Sequence, residues 1–473
     1  MKAIRRNLRR LIPLMCVLFA SLAVYGLYTL TAYGSRWFSY SSNSYVRAQK
    51  KNVQPGNIYD RRGTLIAGWA DGERVYQQDE TARRAMVHLL GDSEGNVANG
   101  VESFMSYYLY GFDQSFPDRV RQYFGGETRV GDSVQLTCDA ALSRYIASVY
   151  PEGVNGAVCV TNWKTGEVLA EMSFPNFDPM RSVDEVKKNR NKPFFNRAVQ
   201  GLYAPGSTFK IVTAASALEN LADPGVTFTC SGILEIGGSI ITDAGTDLAR
   251  NSIVRHGEMN LRSAFLKSCN NTFAQIAAVL GDSQMKKTAQ SFGFDVNFLF
   301  RDLVVENSSY PAQNRTEREI AMTGIGQSAL QVTPMHMCLI ASAIANGGVM
   351  MEPRLLARAI GADGKEKANL KPEVFRRALP EDRAAQIREY MRAVVTDGTG
   401  TRAAVSGHRV CGKTGSAEID GQENTNAWFV GFLDEEAYPY CLSVICENAG
   451  GGGSVAAPVA GRIFAWLLQN ENN

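Results

Sequence analysis

Residues 156–174 read GAVCVTNWKTGEVLAEMSF. Two runs rich in β-formers, Ala157–Asn162 and Val168–Met172, flank a Lys-Thr-Gly-Glu turn, so the stretch is predicted to be a β-hairpin. At the far end of the chain, AWFVGFLDEEAYPYCLSVICE (427–447) gives two further apolar strands around a polar turn, and VAAPVAGRIFAWLLQN (455–470) closes as a helix. Between them lie the helical patterns TFKIVTAASALENLA (208–222) and LQVTPMHMCLIASAIANG (330–347). Strands at both ends of a unit with helices between them predict an α+β fold, an antiparallel sheet with helices packed against it.

Before this unit the chain has a different texture. LIPLMCVLFASLAVYGLYTL (11–30) carries no charge and is long enough to cross a bilayer as a helix. Lys2, Arg5, Arg6, Arg9 and Arg10 precede it without an acidic residue, which orients that end toward the cytoplasm. The predicted organisation is a cytoplasmic tail (1–10), a transmembrane anchor (11–33), a stalk and pedestal (34–150) and a catalytic domain (151–473), the last two outside the cell. The polar stretch 36–54, with SSNSYVRAQKKN at 41–52, reads as the stalk, and PGNIYDRRGTLIA (55–67) as a strand, tight turn and strand that open the pedestal.

Lys plus Arg number 49 against 47 Asp plus Glu, which offers nucleic acid no field. Nine cysteines are widely spread and read as buried small hydrophobes; Cys441 and Cys446, five apart on a predicted strand, would face opposite ways and not bridge. Four histidines form no ligand pair, so neither a metal nor another cofactor is expected.

Three short motifs carry the chemistry: Ser207-Thr208-Phe209-Lys210, Ser268-Cys269-Asn270 and Lys413-Thr414-Gly415. Each has a chance copy elsewhere, at Ser283–Lys286, Ser41–Asn43 and Lys164–Gly166. Only the set beginning at Ser207 runs S-x-x-K, S-x-N, K-T-G in that order, the arrangement of serine acyl-enzymes. Tyr203-Ala204-Pro205-Gly206 forbids regular structure, so Ser207 starts the helix and its free N–H suits an oxyanion. Lys210 falls one turn on, on the same face, and serves as base if burial and a second cation, Lys413, hold its amine neutral. As bland alternatives, Ser207 is an N-cap hydroxyl, Lys210 a solvated lysine, and Ser268 and Asn270 helix caps. Ser268 would otherwise relay a proton to a leaving amine, and Asn270 would bind a substrate amide. A peptide pairing along the K-T-G strand would place its carboxylate on Thr414 and Lys413 beside the close-approach Gly415, with the Ser416 N–H as second oxyanion donor.

With these residues in place the sequence resembles the class B penicillin-binding proteins, the monofunctional peptidoglycan D,D-transpeptidases. GNIYDRRGTLIA is similar to the opening of their pedestal, and NRAVQGLYAPGSTFK, FLKSCNNTF, GIGQ (324–327) and CGKTGSAE with AWFVGF to their catalytic signatures. Pro55 stands where an Arg is usual, and Ser416 where Thr is commoner. The resemblance implies acylation of Ser207 by the D-Ala-D-Ala end of a stem peptide, release of D-alanine, transfer to an amine of a neighbouring strand, and covalent inhibition by β-lactams. It also implies a separate membrane glycosyltransferase and other wall-synthesis proteins as partners. The same motifs admit a D,D-carboxypeptidase or β-lactamase with water as acceptor, and, from another class, a non-catalytic β-lactam-binding scaffold or sensor.

Overall fold

The structure is a computed structural model that describes residues 2–37, 53–92, 95–97, 99–112, 124–125, 129–311, 315–418 and 425–470. The predicted hairpin is present as β5 (Gly156–Asn162) and β6 (Val168–Phe174). Its turn is set by Asn162, whose Oδ1 accepts the N–H groups of Lys164 and Thr165. Three later strands, β9 (Val410–Ala417), β10 (Asn426–Leu433) and β11 (Tyr440–Cys446), complete a sheet of order β9-β10-β11-β5-β6, antiparallel throughout. The two ends of the unit therefore meet in mid-sheet, where β11 pairs with β5.

Both faces of this sheet are buried, and the alternation of side chains sorts its residues into two cores. Along β11, Cys441 and Ile445 join one core; Leu442, Val444 and Cys446 join the other. The first is covered by α3 (Lys210–Asn220), by α7 (Glu381–Thr396) and by α6 (Pro334–Ala345), every residue of which is buried. The second is covered by α8 (Ala456–Asn470). Cys441 and Cys446 thus face opposite ways, and all nine cysteines are free thiols.

The pedestal segment builds a second sheet. Its strands are β1 (Ile58–Tyr59), β2 (Leu65–Ala70), β3 (Glu73–Tyr76) and β4 (Ser133–Leu136), joined by β7 (Leu356–Ile360) and β8 (Glu366–Asn369) in the order β8-β7-β4-β1-β2-β3. Residues 356–369 therefore extend the pedestal sheet, although they fall far beyond the expected boundary at 150. Strand edges need partners that local sequence does not name, and β4 offers one side to β1 and the other to β7. Likewise α2 (Ala140–Val149), predicted as pedestal, buries Leu142 and Ile146 in the core shared with α8.

At the amino terminus α1 runs Lys2–Trp37, and within it Arg10–Thr29 has a mean hydropathy of 2.1 with none of it buried against the protein. It is long and apolar enough to cross a membrane. Of the expected stalk (36–54), residues 38–52 lie outside the described residues; its first two residues end α1, and Val53–Gln54 pairs with Arg129–Val130.

Candidate active site

Pro205 and Gly206 end the irregular approach to α3, and the chain enters through a single 3-10 turn, Gly206–Phe209, before α geometry begins at Lys210. Ser207 therefore lies in a tight first turn rather than in the α-helix proper. Gly206 has φ +54, and a Cβ there would meet the Ser416 carbonyl oxygen at 2.8 Å. Only glycine lets the nucleophile's turn lie this close to β9. Its N–H donates to Gly326 O at 2.9 Å, which fixes the turn from the other side through the GIGQ loop.

Lys210 leaves that turn pointing inward and is fully buried. Its Nζ donates to Ser268 O at 2.6 Å, to Asn270 Oδ1 at 2.7 Å and to Ser268 Oγ at 3.3 Å, and sits 5.4 Å from the Phe273 ring. Ser207 Oγ itself has no hydrogen-bond partner among the described residues. Apo active sites often hold the nucleophile–base contact open in this way.

The acceptors around Lys210 come from the junction of α4 (Leu261–Lys267) and α5 (Asn270–Ser291). Ser268 terminates α4 in the left-handed region (φ 56, ψ 38), which turns its hydroxyl and carbonyl to the same side as Asn270 Oδ1. Cys269, between them, points away into the core. The capping reading holds as well, in modified form: the N-cap acceptor of α5 is Cys269 Sγ, not Ser268.

Lys413 is also fully buried, and its Nζ donates to Ser268 Oγ at 2.9 Å and to Thr414 O at 3.0 Å. It faces Ser268 rather than the open strand edge where a substrate carboxylate would lie. Thr414 stays at that edge, its hydroxyl 2.6 Å from that of Thr399, a residue the sequence reading did not single out. Gly415 explains itself sterically: a Cβ would stand 3.0 Å from Thr208 Cγ2 and 3.1 Å from Pro205 O. Ser416 follows, its Oγ accepting the Gly452 N–H at 3.3 Å. Lys413, Thr414, Gly415 and Ser416 lie on β9, which is an edge strand, so its outer side is unpaired within the sheet.

Burial pushes the Lys210 amine down to about 7, against a smaller upward pull from Cys269 and Asp243. Burial, with the Lys210 charge second, takes Lys413 well below its ordinary value. Desolvation thus does most of what the sequence reading assigned to Lys413 as a neighbouring cation. Two amines on one hydroxyl in a dry site repel, so they do not both hold a charge near neutrality.

Asp243 was also missed. It is 3% exposed; its Oδ1 accepts the Asn270 N–H, which locks the start of α5. Its Oδ2 belongs to a group that the histidine and cysteine spacing did not point to: Cys230, Asp243, His256 and Cys269 bring one donor atom each within 4.8 Å of one another. Each stands thirteen positions after the one before, so no local ligand spacing announces them; strand pairing and the α4–α5 junction bring them together.

A cavity of about 1080 Å³ adjoins the site, lined among others by Tyr203, Ala204, Gln327, Glu418, Asn426 and Glu447.

Residues 156–465 match the family described as the penicillin binding protein transpeptidase domain. The chain belongs to that family. Among curated relatives, the peptidoglycan D,D-transpeptidase PbpA of Mycolicibacterium smegmatis is 28% identical over 406 residues, covering 80% of this chain and 81% of the relative. The stage V sporulation protein D of Bacillus subtilis is 30% identical over 385 residues, covering 77% of this chain and 57% of the relative. Among solved structures, penicillin-binding protein A from M. tuberculosis as its imipenem acyl-enzyme superposes with a TM-score of 0.78 at 28% identity, covering 89% of this chain and 100% of that one. The sheet, the S-x-x-K turn and the edge strand of this penicillin-binding protein thus sit in a known architecture.

Proposed function

We propose that this protein is a peptidoglycan D,D-transpeptidase that passes a stem-peptide acyl group through Ser207. The observation that carries the reading is the fully buried Lys210 amine, brought near neutrality by desolvation one turn from an unengaged serine hydroxyl. Ser207 Oγ attacks the carbonyl of the penultimate D-alanine while its proton passes to neutral Lys210. The oxyanion is held by the N–H groups of Ser207 and Ser416. As the C–N bond breaks, the departing D-alanine amine takes a proton relayed through Ser268, which touches both lysines. The amine of a second strand then attacks the ester, and Ser207 recovers its proton.

Substrate would pair as an extra strand along β9, with its carboxylate at Thr414 and Thr399, one amide on Asn270, and Gly415 keeping the approach clear. Lys413 acts from the inner side by setting the proton inventory at Ser268. The adjoining cavity, with Glu418 on its wall, offers room for the incoming amine strand. The apolar stretch of α1 anchors the enzyme with its tail inside and the catalytic unit outside, the pedestal segment holds that unit off the membrane, and a separate glycosyltransferase supplies the glycan strands.

Incubation of the purified protein with benzylpenicillin, followed by peptide mass spectrometry, tests the assignment. A penicilloyl mass on the peptide containing Ser207, absent from Ser207→Ala and lasting far longer than seconds, is expected. An adduct that clears within seconds identifies a hydrolase; none at all refutes the acyl-enzyme.

A further inference from the structure

Behind the S-x-N loop, four side chains that acyl transfer does not use face one another. Cys230 ends the strand Phe228–Cys230, Asp243 follows the strand Ser239–Thr242, His256 precedes the strand Gly257–Met259, and Cys269 joins α4 to α5. Cys230 Sγ lies 2.9 Å from Asp243 Oδ2 and 3.5 Å from His256 Nδ1. Asp243 Oδ2 lies 3.5 Å from both Cys269 Sγ and His256 Nδ1. A tetrahedral cation with bonds of about 2.0–2.3 Å has six donor–donor edges of about 3.3–3.8 Å; three of the six separations here already fit, the 2.9 Å pair needs a shift of a few tenths of an ångström, and the remaining two lie within 4.8 Å.

The donor chemistry narrows the ion. Two thiols, an imidazole and one carboxylate form a compact, borderline-soft set, which suits Zn²⁺; magnesium and calcium take six or more oxygens. The alternative is a plain hydrogen-bonded cluster with Asp243 as acceptor. It leaves a carboxylate 3% exposed whose one ion-pair partner among the described residues is the imidazole of His256, at 3.5 Å and charged only if protonated. A divalent cation would take this carboxylate, the imidazole and both thiols as ligands, the thiols giving up their protons on binding.

We propose that Cys230, Asp243, His256 and Cys269 bind a structural zinc ion that positions the S-x-N loop against Lys210. All four positions are filled by protein, which leaves no open place for substrate or water and makes the ion structural. Its link to the site is short. Cys269 stands between Ser268 and Asn270, and Asp243 uses Oδ2 in the cluster while Oδ1 holds the Asn270 N–H. Fixing Cys269 and Asp243 therefore fixes Ser268 O and Asn270 Oδ1, the two nearest acceptors of the Lys210 amine. His256, whose side chain is 17% exposed, marks the side by which the ion enters.

The test is metal analysis of the full chain, purified in detergent without chelator. About one zinc per chain is expected, falling by about tenfold or more in Cys230→Ser and in His256→Ala. Replacement by cobalt should give thiolate-to-metal charge-transfer absorption with the visible bands of a tetrahedral site, lost in the same variants. Zinc near zero in the wild type, even after equilibration with zinc and desalting, overturns the site. The positioning role is read separately: His256→Ala, folded by circular dichroism, should acylate with fluorescent penicillin about tenfold more slowly. An unchanged rate in a zinc-free, folded variant overturns that role. Zinc in a wild type that never acylates would stand as support for the site while counting against Ser207 chemistry.

Discussion

Lowering the pH below about 7 should progressively silence acylation of Ser207. The base form of Lys210 is the neutral amine, and burial moves its titration from 10.5 to about 7. At 1.36 kcal/mol per unit this displacement is about 5 kcal/mol of lost solvation for the ammonium. About half of the molecules are then competent at pH 7, about a tenth at pH 6 and about a hundredth at pH 5; an ordinary lysine would leave roughly one in 3000 competent at pH 7. The second-order rate constant for acylation by a fluorescent penicillin, measured from pH 5.5 to 9, should rise about tenfold per unit at low pH and level off above about 7.5. The midpoint belongs to the Lys210–Lys413 pair, because both amines share the Ser268 hydroxyl. Lys210→Arg keeps a cation that never deprotonates, so the rate should fall by about 10²–10⁴ and the rising limb should vanish. A pH-independent rate, or a midpoint near 10, would refute the claim that desolvation makes this lysine a base.

Other outcomes follow from the same geometry. Gly415→Ala sets a methyl against Thr208 and Pro205, forcing β9 away from Ser207; acylation should drop at least about tenfold while thermal unfolding changes little. Ser268→Ala removes the one hydroxyl shared by both lysines, so rates of acylation and of transfer to an added amine acceptor should both fall, by about 10²-fold, with the Ser207 adduct still detectable by mass spectrometry. Glu171, 2% exposed and bonded to Asn196 Nδ2 at 2.6 Å, is held up at about 7 by burial. The folded state then keeps a proton that the unfolded state has lost between about 4.5 and 7, so stability declines as pH rises through that window. Glu171→Gln should accordingly be more stable than wild type by roughly 1–3 kcal/mol in urea melts at pH 8 and nearly equal to it at pH 4.5.

Local sequence was enough for the features that depend on local physics. Alternation and length marked the β5–β6 hairpin and the β10–β11 pair, and helical periodicity marked α3, α6 and α8. A breaker before Ser207 and a lysine three residues later marked the turn from which Ser207 and Lys210 project. The order of three motifs, each weak alone, identified Ser268, Asn270 and Lys413 as their companions. The spacing of Cys441 and Cys446 excluded a bridge, since side chains on a strand repeat every second residue.

Other features needed the tertiary structure, because they depend on what lies nearby in space rather than in sequence. A lysine's titration follows the depth at which folding buries it, and no motif states that depth; only packing against Phe273 and the α4–α5 junction takes Lys210 to neutrality. Thr399 meets Thr414 across 15 residues, and Asp243 meets Asn270 across 27. β7 and β8 join the pedestal sheet because the edge of β4 accepts them, more than 200 residues along the chain. The four donors at Cys230, Asp243, His256 and Cys269 carry no ligand spacing at all; strand pairing and a left-handed turn at Ser268 draw them together. Hydrophobic periodicity specifies which residues are buried, and the closing of the chain on itself decides which of them become neighbours.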